Sequence, residues 1–128
     1  MSDRLDVVCI VEDDAAVRNA LKFALEVEGL SVRTYDGPVS LLEDRHLPPF
    51  GCLIVDYRMP VMDGLELTAA LRERGLSGPA IMITGRANKD LRARATKLGI
   101  RHLLEKPLSD GALIDAIRDA LGTRVRIA

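Results

Sequence analysis

The sequence has few aromatic residues, few cysteines and no long apolar run. Aromatic side chains make up 3% of its 128 residues, tryptophan is absent and there are two cysteines. Cys9 and Cys52 both fall within short apolar runs and lack the spacing of metal ligands, which favours reduced, buried thiols. No stretch approaches the roughly 20 apolar residues of a membrane span, and residues 1–6 do not resemble a signal peptide. We therefore expect a cytoplasmic protein without a membrane segment.

Positive charge is not in surplus either. Lysine and arginine number 18, and aspartate and glutamate number 19, which gives a formal net charge of −1. A protein that holds a nucleic-acid backbone needs a basic surface, so we expect no direct nucleic-acid binding by this chain. The sequence contains neither a P-loop nor a dinucleotide-binding glycine signature, which argues against a nucleotide site.

The sequence does contain a regular alternation of apolar runs and helical patterns. Apolar runs lie at residues 7–11, 52–55, 80–83 and 103–104. Continuous runs of this kind are typical of strands buried on both faces of a parallel sheet. Residues 31–35 alternate polar and apolar side chains, which predicts an edge strand with one face in water. Because helical patterns separate the strands, the alternation favours an α/β fold with a doubly wound parallel sheet.

Turn and capping residues mark the predicted helix boundaries. Gly29 is placed to end the first helix, and Asp63 and Glu66 stand at capping-box spacing at the start of the third. Gly122 is expected to end the last helix. Residues 88–98 carry only a thin apolar stripe. That stripe is typical of a solvated surface helix, or of an element that moves or binds a partner.

A polar residue follows each buried run at the point where the strand ends. Glu12 and Asp13 follow the first run, while Asp56, Thr84 and Lys106 follow the later ones. In an open parallel sheet, ligands bind beyond the carboxyl ends of the strands. If these strands are parallel and adjacent, carboxylates, a hydroxyl and an ammonium converge at one edge. That combination suits Mg²⁺ and a phosphoryl group.

Four local motifs carry a family resemblance. They are Val11-Glu12-Asp13 followed by Arg18, Val55-Asp56-Tyr57-Arg58-Met59-Pro60 followed by Asp63-Gly64, Ile83-Thr84-Gly85, and Glu105-Lys106-Pro107. In this order they resemble the response-regulator receiver domains of two-component phosphorelay systems, and FixJ-type receivers most of all. The resemblance covers residues 7–121 as a core and implies a single receiver domain over 1–128. The implied fold is a CheY-like, flavodoxin-like (βα)5 sheet with five parallel strands in the order 2-1-3-4-5.

The resemblance assigns a role to each residue of this edge. Asp56 is the implied phosphorylation site, a carboxylate nucleophile that accepts a phosphoryl group from a sensor histidine kinase. Lys106 and Thr84 would each contact a phosphoryl oxygen, and the Lys106–Pro107 peptide bond is implied to be cis. The implied Mg²⁺ ligands are the carboxylates of Glu12, Asp13 and Asp56 and the backbone carbonyl of Arg58.

The family resemblance also implies how such a chain acts. A receiver of this kind is a switch and not an enzyme. It catalyses its own phosphorylation and dephosphorylation but turns over no external metabolite. Its modified face contacts an output domain or a downstream protein, and the sequence does not choose between these. Homodimers form in this family through the first helix or through the fourth and fifth, and the sequence leaves that open as well.

The sequence departs from the family pattern at Leu103. Many receivers carry tyrosine or phenylalanine three residues before the lysine, and that ring turns inward when the hydroxyl residue follows the phosphoryl group. Thr84 and Leu103 are therefore the implied switch residues. With leucine there, we expect phosphorylation to shift this domain less, or to act through the loop at residues 85–88. His102 is expected to face solvent and not to serve as a phosphorelay histidine.

Other interpretations compete with these roles. Asp14 is expected to cap the first helix and Arg18 to be a solvated helix residue. Asp56 and Lys106 together could form a structural ion pair alone. Two other function classes remain open. A metal-dependent phosphohydrolase needs a second acid two residues after its nucleophile, where this chain has Arg58. A degenerate receiver that binds proteins without being phosphorylated would retain every residue named here except the aromatic one.

Overall fold

The computed structural model describes residues 7–47, 50–109 and 111–125. Strands and helices alternate along these residues. The strands are β1 (Val7–Val11), β2 (Ser31–Tyr35), β3 (Cys52–Asp56), β4 (Ala80–Thr84) and β5 (Ile100–Glu105). The helices are α1 (Ala15–Val27), α2 (Pro38–Leu42), α3 (Gly64–Glu73), α4 (Lys89–Lys97) and α5 (Ala112–Val125).

The five strands form one parallel sheet in the order β2-β1-β3-β4-β5. The predicted fold class and strand order are therefore confirmed. The register aligns the carboxyl ends of the central strands: Val11 lies beside Val55, and Asp56 lies beside Ile83. At the next pair, Thr84 lies beside Glu105. Residues that end successive strands are consequently neighbours at one edge of the sheet.

Helices cover both faces of the sheet. Helices α2, α3 and α4 pack on one face, and α1 and α5 pack on the other. All five residues of β3 and of β4 are buried between these layers, which explains why both sequences are apolar up to the polar residue that ends each strand. Cys9 and Cys52 are buried as free thiols in the central strands, as predicted.

Capping residues fix where the helices next to the edge begin. The Asp14 carboxylate accepts hydrogen bonds from the N–H groups of Ala16 and Val17 and caps α1, as expected. Asp63 and Glu66 form a complete capping box at α3, with hydrogen bonds of 2.8 and 2.9 Å. Helix α1 therefore starts two residues after Asp13, and α3 starts eight residues after Asp56.

The structures of α4 and of the end of α5 test two expectations from the sequence pattern. Helix α4 buries only Leu91 and Ala95, so the thin stripe predicted for it is confirmed. The expectation that Gly122 ends the last helix is wrong, because α5 continues to Val125. Gly122 does not adopt the positive φ of a helix-ending glycine, and one glycine inside a helix costs only about 1 kcal/mol.

None of the helices in the described ranges is both long and apolar enough to cross a bilayer.

Candidate functional site

The ends of β1 and β3 bring three carboxylates together. Glu12 and Asp13 follow β1 directly, and Asp56 is the last residue of β3. One carboxylate oxygen from each of the three lies within 4.8 Å of the others. Glu12 and Asp56 are buried, with 4% and 6% of their surface exposed, whereas Asp13 is exposed. The cluster is therefore an acidic site that opens to solvent on the side of Asp13.

Backbone and side-chain contacts hold Glu12 in place. The Asp14 N–H donates to its Oε2 at 3.1 Å, and the Arg18 Nη1 donates to its backbone carbonyl at 2.8 Å. Burial raises the pKa of the Glu12 carboxyl, and the nearby Asp56 carboxylate raises it further. A buried carboxyl beside a second acid favours a bound cation, because a cation offsets both unfavourable effects.

The contact made by Arg18 corrects the sequence interpretation. Arg18 was expected to be a solvated helix residue, but it is half-buried and its guanidinium reaches the backbone of the site. The signal lies in its position within the first turns of α1, which places it directly after the acidic residues. An arginine at that position is close enough to donate a hydrogen bond to a carbonyl group at the end of the preceding strand.

Lys106 lies opposite the carboxylates. Its Nζ is 3.2 Å from Oδ2 of Asp56, and its side chain is 45% exposed, against 8% for Asp56. The Lys106–Pro107 peptide bond is cis, as the resemblance implied. One ammonium faces three carboxylates. When all are ionised, the site therefore keeps an excess of negative charge that the structural ion pair alone does not balance.

Thr84 ends β4 beside β3 and is 2% exposed. Its hydroxyl donates to the backbone carbonyl of Arg86 at 3.2 Å and accepts from the Arg86 N–H at 3.3 Å. Its own backbone carbonyl accepts a hydrogen bond of 2.8 Å from the Lys106 N–H. The fold thus brings Thr84 to the predicted edge, while its hydroxyl is engaged by the loop that follows.

Two further predicted residues lie nearby but on different elements. Arg58 is exposed in the loop between β3 and α3, two residues after Asp56, and the role of its carbonyl group stays a prediction. Leu103 is half-buried on β5 beside Met82 and packs against the core on the α4 side of the sheet. Leu103 is therefore in position to contact the layer that contains α4.

Gly64 contributes to the site in a way that sequence reasoning missed. Its N–H donates to the Tyr57 carbonyl at 2.8 Å, and a Cβ at this position would lie 2.8 Å from the Asp56 backbone oxygen. The close approach requires glycine. The signal in the sequence is the glycine directly after the capping Asp63. Absence of a side chain at residue 64 lets α3 pack against the end of β3 and so fixes Asp56.

The donor set fits a hard divalent cation. Carboxylate oxygens are the ligands that Mg²⁺ prefers, and its sites commonly use one or two carboxylates together with water and phosphate oxygens. Cysteine and histidine are not part of the cluster, which argues against a softer metal. In the same site, the Asp56 carboxylate is a potential nucleophile, and the Lys106 ammonium places a positive charge next to it. This arrangement is suited to phosphoryl transfer.

Comparison with known proteins points to one family. Residues 8–118 match the model of the response regulator receiver domain family. The chain is 40% identical over 115 residues to the transcriptional regulatory protein FixJ of Azorhizobium caulinodans, covering 90% of this chain and 54% of FixJ. It is 39% identical over 121 residues to the response regulator protein TodT of Pseudomonas putida, covering 94% of this chain and 53% of TodT. The chain therefore spans about half the length of these relatives.

The solved structures that resemble it point to the same family. The crystal structure described as FixJ-N superposes with a TM-score of 0.79 at 33% identity, covering 90% of this chain and 92% of that one. The response regulator StyR superposes with a TM-score of 0.84 at 36% identity, covering 94% and 61%. The acidic cluster, the strand order and these likenesses agree, and this chain belongs to the response regulator receiver domain family.

Proposed function

We propose that this chain is the phosphoacceptor switch of a two-component system. A sensor histidine kinase donates a phosphoryl group to Asp56, and the modified face then engages an output domain or a downstream protein. The observation that carries the proposal is the position of the buried Asp56 carboxylate, beside two further acids and 3.2 Å from an ammonium. We place the chain in the cytoplasm as one receiver domain over 1–128, with its core at 7–121, and without direct nucleic-acid contact.

The phosphoryl step follows from the residues at the site. An Asp56 carboxylate oxygen attacks phosphorus, the Asp–O–P bond forms, and the bond from phosphorus to the kinase imidazole nitrogen breaks with its electron pair going to that nitrogen. The Lys106 ammonium then pairs with one phosphoryl oxygen, and the Thr84 hydroxyl donates to another after it leaves Arg86. Because the protein supplies charge and orientation and no external metabolite is consumed, the chain acts as a regulator that promotes its own phosphorylation and dephosphorylation.

Four groups would hold Mg²⁺ in this proposal: the carboxylates of Glu12, Asp13 and Asp56 and the backbone carbonyl of Arg58. When bound, Mg²⁺ supplies positive charge that offsets the negative charge of the phosphoryl oxygens and of the three carboxylates. The buried Glu12 and Asp56 side chains would hold two of these carboxylates in place. The exposed Asp13 leaves one side of the site accessible to the phosphoryl donor.

The response to phosphorylation is expected to run through Thr84 and the loop at residues 85–88. Leu103 lacks the ring and polar tip of the aromatic residue common in this family, so it is a weaker two-state element. Addition of Mg²⁺ and beryllofluoride should therefore move the amide resonances of residues 84–88 most. Resonance changes centred on Leu103 and spreading along β5 would contradict this interpretation.

The test of phosphorylation uses a small phosphoryl donor. Incubation with acetyl phosphate and Mg²⁺, followed by intact mass measurement, should give a single phosphoryl adduct. The Asp56→Asn variant is the matched control and should give none, because the amide is not a nucleophile. An adduct on Asp56→Asn would show that another residue is the acceptor.

Leu103 is the observation that supports a second candidate. A degenerate receiver would use the same face to bind a protein without being phosphorylated, and the missing aromatic residue fits such a loss of switching. Absence of any adduct on the wild-type protein would favour this function. Turnover of a generic phosphatase substrate would instead favour a metal-dependent phosphohydrolase, although Arg58 occupies the place where that class needs its second acid.

A further inference from the structure

Glu105 makes a contact that the phosphoryl chemistry does not use. It ends β5 directly beside Thr84 in the parallel ladder. Its Oε2 accepts a hydrogen bond of 2.8 Å from the Ala87 N–H, in the loop between β4 and α4. The side chain crosses from one strand end to the loop that follows the neighbouring strand. A carboxylate here restrains the backbone that Thr84 also contacts.

The Thr84 hydroxyl has one hydrogen to donate. In this structure the hydroxyl faces the Arg86 carbonyl at 3.2 Å and the Arg86 N–H at 3.3 Å. Thr84 and Glu105 thus bind consecutive residues of the same loop, Arg86 and Ala87. The hydroxyl must leave the Arg86 carbonyl before it donates to any other acceptor.

The restrained loop leads straight into α4. Asn88 follows Ala87 and caps this helix by accepting a hydrogen bond of 2.8 Å from the Leu91 N–H. Helix α4 has just two buried residues, Leu91 and Ala95. An element with so few buried contacts shifts at low free-energy cost, so a change at Ala87 is transmitted to the helix with little resistance.

We propose that Glu105 is a positioning residue that stabilises the resting loop, in which Thr84 donates to Arg86 and not to a phosphoryl oxygen on Asp56. The inference rests on the proposed function and adds a regulatory contact to it. Phosphorylation draws the Thr84 hydroxyl away from Arg86, and the loop must then give up its bond to Glu105. The loop at residues 85–88, with or without its bond to Glu105, is then the two-state element of this switch, and Leu103 is a weaker one.

The experiment measures the affinity of beryllofluoride, with Mg²⁺ present, by calorimetric titration of the wild-type protein and three variants. Glu105→Ala removes the acceptor and the charge, whereas Glu105→Gln removes the charge and keeps an oxygen that accepts from Ala87. Glu73→Ala is the control for loss of an exposed glutamate. Glu73 lies on α3, and its side chain makes no hydrogen bond or ion pair with the residues that the structure describes.

The expected result is a graded increase in affinity. The bond from Ala87 to Glu105 exists only in the resting loop, and the usual net strength of such a bond corresponds to about a fivefold change in an equilibrium constant. Glu105→Ala should therefore tighten beryllofluoride binding about fivefold. Glu105→Gln should stay closer to the wild type, and Glu73→Ala should match it. In the metal-free protein, the Ala87 amide proton resonance should move upfield in Glu105→Ala alone, because its hydrogen bond is lost.

Several outcomes would overturn the inference. Equal tightening in Glu105→Ala and Glu105→Gln would mean that charge alone matters and that the hydrogen bond does not position the loop. Unchanged affinity in Glu105→Ala, or an unchanged Ala87 resonance, would refute the restraint while leaving the proposed function intact. Failure of the wild-type protein to bind beryllofluoride would overturn the proposed function and this inference together.

Discussion

Two parts of the fold differ sharply in how firmly they are packed: β1 and β3 with α3 form the rigid half, and β5 with α4 forms the loose half. Strand β3 is buried at every position and α3 buries five of its ten residues. Strand β5 is buried only at Ile100, and α4 buries two of its nine residues. The acids at the ends of β1 and β3 therefore rest on the rigid half, whereas Thr84, Glu105 and Lys106 border the loose one. Such a division suits a switch, because the chemistry needs fixed geometry and the response needs an element that moves.

The largest effect is expected on removal of a leucine side chain from each half. Leu67 of α3 is fully buried, so Leu67→Ala should lower the free energy of unfolding by about 3 kcal/mol, within the usual range for such a cavity. Leu98→Ala makes the same change at the C-terminal cap of α4, where the leucine is half-buried against the edge of the core. It should cost less than half as much by urea denaturation. Equal costs would mean that the two halves are packed alike.

A second test adds one methyl group to each half. A Cβ on Gly64 would meet the Asp56 backbone oxygen at 2.8 Å and the Met82 sulfur at 3.1 Å, so Gly64→Ala should cost about 1–3 kcal/mol through overpacking. Gly85, in the loop between β4 and α4, has no atom within 4 Å of such a Cβ and no positive φ. Gly85→Ala should leave the unfolding midpoint unchanged or slightly raised. A large loss of stability in Gly85→Ala would show that the loop is as constrained as the end of β3.

A third test asks whether the acids of the rigid half bind Mg²⁺. At a free Mg²⁺ concentration ten times the Kd, the folded state should gain about 1.4 kcal/mol over the protein in EDTA. Asp13→Asn keeps the shape of this exposed side chain but removes its charge, and it should lose most of that gain. Thermal unfolding with and without the chelator measures both. Equal stabilisation of Asp13→Asn by Mg²⁺ would place the ion elsewhere.

The sequence predicted the secondary structure of this protein better than its contacts between segments. The strands and the polar residues that end them were predictable because continuous apolar runs are local signals. The strand order, which makes Asp56 and Lys106 neighbours, was implied by the family resemblance. The contacts from Arg18 to the Glu12 carbonyl and from Glu105 to the Ala87 N–H were not predictable. Each joins a side chain to the backbone of another segment, and such a bond depends on register and helix placement, which residue type and spacing do not encode.

The smallest effect is expected at β2, the edge strand beside the rigid half, where Tyr35 is the one buried residue of the strand and its hydroxyl makes a hydrogen bond. The Tyr35 hydroxyl donates to Asp44 Oδ2 at 2.6 Å, and this bond, with smaller contributions from the His46 N–H and Arg33, lowers the pKa of Asp44 below its ordinary value of 3.8. A carboxylate with a depressed pKa in the folded protein contributes stability above about pH 3.8 and loses it as the pH falls through the folded value.

Tyr35→Phe should therefore lower the free energy of unfolding at neutral pH, and its difference from the wild type should shrink below pH 3.8. Tyr57→Phe serves as the control, because the Tyr57 hydroxyl makes no hydrogen bond with any residue that the structure describes. Urea denaturation at a series of pH values measures both variants. A difference for Tyr35→Phe that stays constant into acid would mean that the hydroxyl acts through packing. In that case the buried Tyr35 ring, and not its hydroxyl, would secure the end of β2 to the core.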